Sequence, residues 1–246
     1  TCVVVLAATD AANTATAHTI TVTITNTNDE SPSDMALSAA SAAENAAAGT
    51  DIGTLSTTDG DASGNSHVYT LVTDSGGATA YSGTDFAIDS AVLEVGSSPS
   101  FDYETTTSYT VYVKVSDGSN TAYVEGFTIS ITDVNDQAPA WTTSATADVA
   151  EGATAVATMA ATDSDTADSG GLTYSITTDD PGTGTQFSVA GTALTIAAQD
   201  YENPGCGSGS NSLTCVVVLA ATDAANTATA HTITVTITNT NDESPS

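Results

Sequence analysis

The residues of this chain that could do chemistry are carboxylates, and they recur in a fixed order. Glu44 stands in A-E-N, Asp59 and Asp61 in T-D-G-D, Asp102 and Glu104 in F-D-Y-E, Asp117 in V-S-D-G, and Asp133, Asn135 and Asp136 in D-V-N-D. The order returns with Glu151, then Asp163 and Asp165, then Asp200 and Glu202 in Q-D-Y-E, Asp223 in A-T-D-A, and finally Asn239, Asn241 and Asp242. A further copy of the last motif, with Asn26, Asn28 and Asp29, lies near the start. Carboxylates packed closely repel one another. Converging from separate loops, they supply what a hard divalent cation such as Ca²⁺ takes, six to eight oxygens at ~2.3–2.6 Å.

Two other chemistries use the same residue types. D-G-D-A-S-G from Asp59 resembles the start of an EF-hand loop, but the twelfth position is Thr70 rather than Glu and no helices flank it. The D-S-G triplets at Asp74 and Asp168 resemble the paired loops of aspartic proteases, whose carboxylates share a proton, yet both fall in glycine-rich turns. No glycine motif that would cradle a phosphate opens a helix. The chain is not expected to be an enzyme.

Charge narrows the partners. Thirty acidic residues face one basic residue, Lys114, for a formal net charge of −29. Nothing in the chain can neutralise phosphates, so nucleic acid and anionic membrane surfaces are poor partners; no nucleic acid and no membrane insertion are expected. With 40% hydrophobic and 13% charged residues, the composition is that of a folded protein and not of an acidic tail. A solvated acidic surface is one explanation of the charge; cation sites are the other. No stretch is apolar enough for long enough to span a bilayer, and any export signal is expected upstream of residue 1.

Repetition organises the chain. Residues 1–33 recur unchanged at 214–246, the mark of a duplicated longer unit. Inside it, N-T-N-D-E-S-P from Asn26 is echoed by D-V-N-D-Q-A-P from Asp133, about one small domain length further on. The expected organisation is the C-terminal strands of a truncated domain at 1–32, a domain at 33–138 and a second at 139–246.

The positioning elements read as strands. Residues 19–25 run T-I-T-V-T-I-T, with Ile20, Val22 and Ile24 on one side, the period-two pattern of a half-buried strand. Phe127, Ile129 and Ile131 repeat it, as do Ile233, Val235 and Ile237. Other candidates are 109–115, 213–221, 68–72, 172–176 and short pairs around Phe86 and Leu93 or Phe187 and Leu194. The alanine-rich stretch at 39–48 is broken by Ser, Asn and Gly, so no helix is expected there. About seven short strands per domain indicate an all-β fold, antiparallel Greek-key sandwiches of immunoglobulin-like architecture.

The ordered acidic motifs resemble the cadherin repeat, which has a Glu ending its first strand, then D-x-D, D-x-E, A-x-D, and D-x-N-D-x-x-P as linker. The resemblance covers both full domains and the leading fragment. It implies Ca²⁺ at domain junctions, up to about three ions at each. One junction would draw on Glu44, Asp102, Glu104, Asp133, Asn135, Asp136, Asp163, Asp165 and Asp223. The preceding one would use Asn26, Asn28, Asp29, Asp59, Asp61, Asn65 and Asp117. The next would start from Glu151, Asp200, Glu202, Asn239, Asn241 and Asp242. At Asn26 and Asn239 the first linker position departs from the family's Asp, which removes one charge from those sites.

Cys2 is the repeat copy of Cys215, which leaves Cys206 as the available partner for Cys215. A bridge between them would close the Gly/Ser-rich excursion before a strand; unpaired thiols in a reducing compartment are the alternative, which the extracellular setting implied by the resemblance disfavours. Trp141 reads as a packing residue at the start of a domain, and Tyr103 and Tyr201 as packing beneath the ion sites. His18, His67 and His231 read as exposed strand-end residues. The function expected is a calcium-rigidified structural or adhesive repeat of a long extracellular fibre or cell-surface adhesin. Its partners would be neighbouring repeats of the same chain and, through homophilic or lateral self-association, other copies in filaments. A module binding a glycan or surface ligand, and a spacer stalk for another domain, are the alternatives.

Overall fold

The computed structural model describes all residues except 14–15, 62–65, 166–170, 180–185, 207–212, 224 and 242–246. The chain divides into two compact units, Thr1–Thr132 and Asp133–Ser246. Both are built of strands, and the described residues contain no helix.

The first unit holds β1 (Cys2–Leu6), β2 (His18–Val22), β3 (Asp34–Leu37), β4 (Ser41–Ala43), β5 (Asp51–Thr58), β6 (Val68–Val72), β7 (Phe86–Asp89), β8 (Val92–Val95), β9 (Ser108–Ser116) and β10 (Tyr123–Thr132). Two four-stranded sheets, β4-β10-β9-β6 and β3-β5-β8-β7, form the sandwich. The alanine-rich segment forms no helix, and its strand is the short β4: β4 pairs parallel to β10 while β3 pairs antiparallel to β5, so the first strand switches sheets. Alternation decides the core. Val111, Val113 and Val115 of β9 and Ile129 and Ile131 of β10 point inward with Phe86, Leu93 and Phe101, while the intervening residues face water.

The second unit repeats the scheme with β11 (Ala140–Trp141), β12 (Thr146–Ala150), β13 (Ala155–Thr158), β14 (Ala161–Thr162), β15 (Thr173–Thr178), β16 (Phe187–Ala190), β17 (Ala193–Ile196), β18 (Thr214–Thr222) and β19 (His231–Thr238). Its sheets are β12-β19-β18-β15, β13-β17-β16 and the short pair β11-β14. Val217, Leu219, Ile233, Val235 and Ile237 form the buried centre together with Cys206 and Cys215, which are joined as a disulfide. Trp141 packs half-buried at its edge, donates its indole N–H to Thr229 O at 3.0 Å and stacks on His231 at 4.9 Å. His231 is therefore a packing residue, unlike its exposed repeat copy His18.

The leading hairpin departs from expectation. β1 and β2 pair antiparallel in the same register that β18 and β19 use, yet Ile20, Val22 and Ile24 are exposed rather than half-buried. A two-stranded sheet has no facing layer, and among the described residues no other strand pairs with it.

Candidate metal centre

The acidic residues gather at strand ends, where loops from both sheets converge. In the second unit Asp163 and Asp165 follow β14 and Asp223 follows β18; carboxylate oxygens of the three lie within 4.8 Å of one another. One oxygen of each is committed to the scaffold. Asp165 N–H donates to Asp163 Oδ1 at 3.1 Å, and Gln137 N–H donates to Asp165 Oδ2 at 2.9 Å. Asp223 Oδ1 accepts the amides of Ala225 at 2.6 Å and Asn226 at 2.5 Å, and the Asn226 amide chiefly holds this carboxyl below its ordinary pKa. Asn226 Nδ2 in turn donates to Asn135 Oδ1. The other oxygens, Asp163 Oδ2, Asp165 Oδ1 and Asp223 Oδ2, are buried and accept no hydrogen bond. Asp165 is 0% exposed. Three neighbouring carboxylates, each with a buried oxygen that no hydrogen bond satisfies, are costly for protein alone and fit a hard divalent cation. Asp136 brings a further oxygen within 4.8 Å of Asp165, and Asp133 lies half-buried in the same segment.

The opposite end of this unit carries a second set, Glu151, Asp200 and Glu202, with oxygens within 4.8 Å of one another. Glu151 Oε2 accepts Tyr201 N–H at 3.1 Å and Oε1 accepts the Thr240 hydroxyl at 2.9 Å; the Thr240 backbone amide also donates to Oε1 and is the main cause of the lowered pKa of Glu151. Asp200 Oδ1 caps a turn by accepting the amides of Glu202 and Asn203 at 3.0 and 3.2 Å. At the linker position where the cadherin pattern has Asp, Asn239 donates from Nδ2 to Glu202 Oε1 at 3.0 Å, a bond no carboxylate could make. Asn241 is exposed, and Asp242 lies outside the described residues.

The first unit has the same parts. Glu44, buried beyond β4, accepts Tyr103 N–H at 2.7 Å, and an oxygen of Glu44 lies within 4.8 Å of one of Glu104. Asp102 caps its own turn through Thr105, accepting its amide at 3.1 Å and its hydroxyl at 2.9 Å. At the other end, after β5 and β9, stand Asp59, Asp61 and Asp117. Asp61 Oδ2 accepts the amides of Asp29 and Glu30 at 3.1 and 3.0 Å, and Asp61 N–H donates to Asp59 Oδ1 at 3.0 Å. Asp117 Oδ1 accepts Ser119 and Asn120 amides at 2.9 Å each, and Asn28 Nδ2 donates to Asp117 O at 3.2 Å. Asn26 is exposed; Asn65 lies outside the described residues.

Four contributors went unread in the sequence. Asn120 and Asn226 tie the linker asparagines Asn28 and Asn135 to the acidic loops. The signal was present as D-x-x-N at both places, the spacing at which an Asp caps a turn. Gln137 supplies a backbone amide, which no side-chain pattern announces. His67 lies half-buried instead of exposed, with Nε2 at 3.1 Å from Asp59 Oδ2. Of the other chemistries, Asp74 Oδ1 accepts Gly76 N–H at 2.8 Å and closes a tight turn, Thr70 lies within β6, and Asp168 is outside the described residues.

Comparison with known proteins accords with these sandwiches. A family model, the cadherin domain, matches residues 38–133. No curated protein sequence matches the chain. Among solved structures, the Protocadherin GammaB4 extracellular domain is similar with a TM-score of 0.67 and 23% identity over 98% of this chain and 39% of its own. Human Protocadherin-24 EC1-2 gives 0.63 and 20% over 87% of this chain and 100% of its own, and mouse Cadherin-23 EC22-24 gives 0.59 and 24% over 97% and 74%. The chain thus spans well under two thirds of the first of these. Residues 38–133 match the cadherin domain, and the solved structures share the fold over nearly the whole chain.

Proposed function

We propose that this chain is a calcium-rigidified structural and adhesive repeat of a long extracellular polypeptide. The observation that carries the reading is the trio of buried, unpartnered oxygens on Asp163, Asp165 and Asp223. A calcium ion there would supply positive charge that the chain itself lacks, since Lys114 is its one basic residue against 30 acidic ones. Asp136 joins this set, and Glu151, Asp200 and Glu202 form a second; Asn28, Asp59, Asp61 and Asp117, tied together by hydrogen bonds and backbone amides rather than by close carboxylate contacts, would form a third, and Glu44, Asp102, Glu104, Asp133 and Asn135 would complete the ligand supply of the loops. The chain's own residues do the organising: backbone amides hold one oxygen of each Asp, which orients the other toward the ion without a side chain having to be ordered on binding.

Ions at the ends of successive sandwiches would neutralise the repelling acids and restrain the linkers, so that force passes along the chain. The partners are then neighbouring repeats and, at the surface, further copies of cadherin type, in an extracellular setting that suits the Cys206–Cys215 bridge. Small-angle X-ray scattering of the 246-residue chain tests this. Calcium should reduce interdomain flexibility relative to chelator; identical scattering in the two conditions would remove the rigidifying role.

A further inference from the structure

The two units carry the same N-terminal acidic scaffold and differ in what occupies its outward oxygens. In the second unit Asp163 Oδ2 and Asp223 Oδ2 accept nothing. In the first unit the corresponding atoms are both engaged. Asp59 Oδ2 meets His67 Nε2 at 3.1 Å, and Asp117 Oδ2 accepts Asn120 Nδ2 at 2.8 Å, from a group that also donates to Asn28 Oδ1 at 2.9 Å and Glu30 O at 2.8 Å. Strand register identifies the counterpart of His67. Val68 pairs with Ser116 one residue before Asp117, and Thr173 pairs with Thr222 one residue before Asp223, so His67 and Leu172 stand at equivalent places. A leucine has no donor and leaves the neighbouring Asp exposed to the cation site; a histidine satisfies it.

We infer that His67 is an internal competitor for calcium, making the Asp59–Asp61–Asp117 site weaker than the Asp163–Asp165–Asp223 site, so that the two fill in sequence as calcium rises. This rests on the calcium reading of the acidic loops and adds an order of affinity to it. An ion at Asp59 Oδ2 would have to share that oxygen with the His67 contact, whereas Asp163 Oδ2 has no such bond to share. The Asn120 bond to Asp117 acts in the same direction.

The test is a calcium titration of the whole ¹⁵N-labelled chain at one fixed pH, followed through amides that bond directly to each site. Ser119 and Asn120 donate to Asp117, and Ala225 and Asn226 donate to Asp223. The Ala225 and Asn226 signals should reach their midpoint at lower calcium than those of Ser119 and Asn120. His67→Leu should lower the first-unit midpoint about tenfold, the effect of removing one hydrogen bond to a charged group, and leave the second-unit midpoint unchanged. His67→Gln, which keeps a donor, should stay near the parent value, and Leu172→His should raise the second-unit midpoint. Equal midpoints in the parent chain, or a first-unit midpoint unmoved by His67→Leu in a variant that keeps its β-sheet shift dispersion, would overturn the inference while leaving calcium binding intact. Silence of all four amides would overturn the calcium reading itself.

Discussion

Replacing Asp165 by Asn should have opposite effects with and without calcium. The side chain is fully buried, one oxygen accepts the Gln137 amide, the other accepts nothing, and the carboxylate lies within 4.8 Å of oxygens of Asp163 and Asp223. Asn keeps an acceptor for Gln137 and removes the charge. In chelator the substitution relieves like-charge repulsion, which at 4.8 Å and the dielectric of water is about 1 kcal/mol per pair and larger wherever water is excluded. In calcium the loss dominates. An ion present at about 100 times its Kd stabilises the folded state by ~2.7 kcal/mol, and a site weakened about a hundredfold retains ~0.4 kcal/mol. The net loss is therefore ~2 kcal/mol. For a unit of this size that corresponds to a Tm about 8–12 °C lower in calcium, against a rise of a few degrees in chelator. Differential scanning calorimetry of both proteins in both buffers reads the crossing directly. If Asp165→Asn lowered the Tm equally in calcium and in chelator, Asp165 would be a structural acceptor only, and the reasoning from its unpartnered oxygen would fail.

Two further outcomes follow from particular residues. Leu219 and Leu6 occupy the same place in identical sequence but are 0% and 51% exposed; Leu219→Ala should cost about 3–5 kcal/mol in denaturant unfolding of the second unit and Leu6→Ala less than about 0.5, and similar losses would contradict the burial assigned to β18. Asp117 and Asp223 are held below the ordinary Asp pKa chiefly by the Asn120 and Asn226 amides, so the stability they contribute is present above the unfolded value and is lost as pH falls through their lower folded values; carboxyl NMR in chelator should find both titrating below an exposed Asp, and titration at or above it would contradict the turn geometry.

Much of the fold was legible because a sandwich writes its pattern into every strand. Alternating Ile, Val and Thr marked β10 and β19, and the repeated order of acidic motifs marked the loops at strand ends, which a fixed topology gathers at either end of a sandwich. The cadherin resemblance likewise rested on that order, and residues 38–133 match the family. What the motifs did not reveal was the state of each oxygen. Which carboxylate atom is taken by an amide and which is left for a cation depends on turn geometry and on a neighbour across the sandwich, as His67 shows at Asp59 and Leu172 does not at Asp163. The duplicated segment draws the boundary most sharply. Residues 1–33 and 214–246 are identical and form hairpins in the same register, yet Val217, Leu219 and Ile233 are buried while Val4, Leu6 and Ile20 are exposed. Local sequence suffices for strand and hairpin, because backbone pairing and side-chain alternation are local. Burial requires a facing sheet, and only the tertiary structure supplies one.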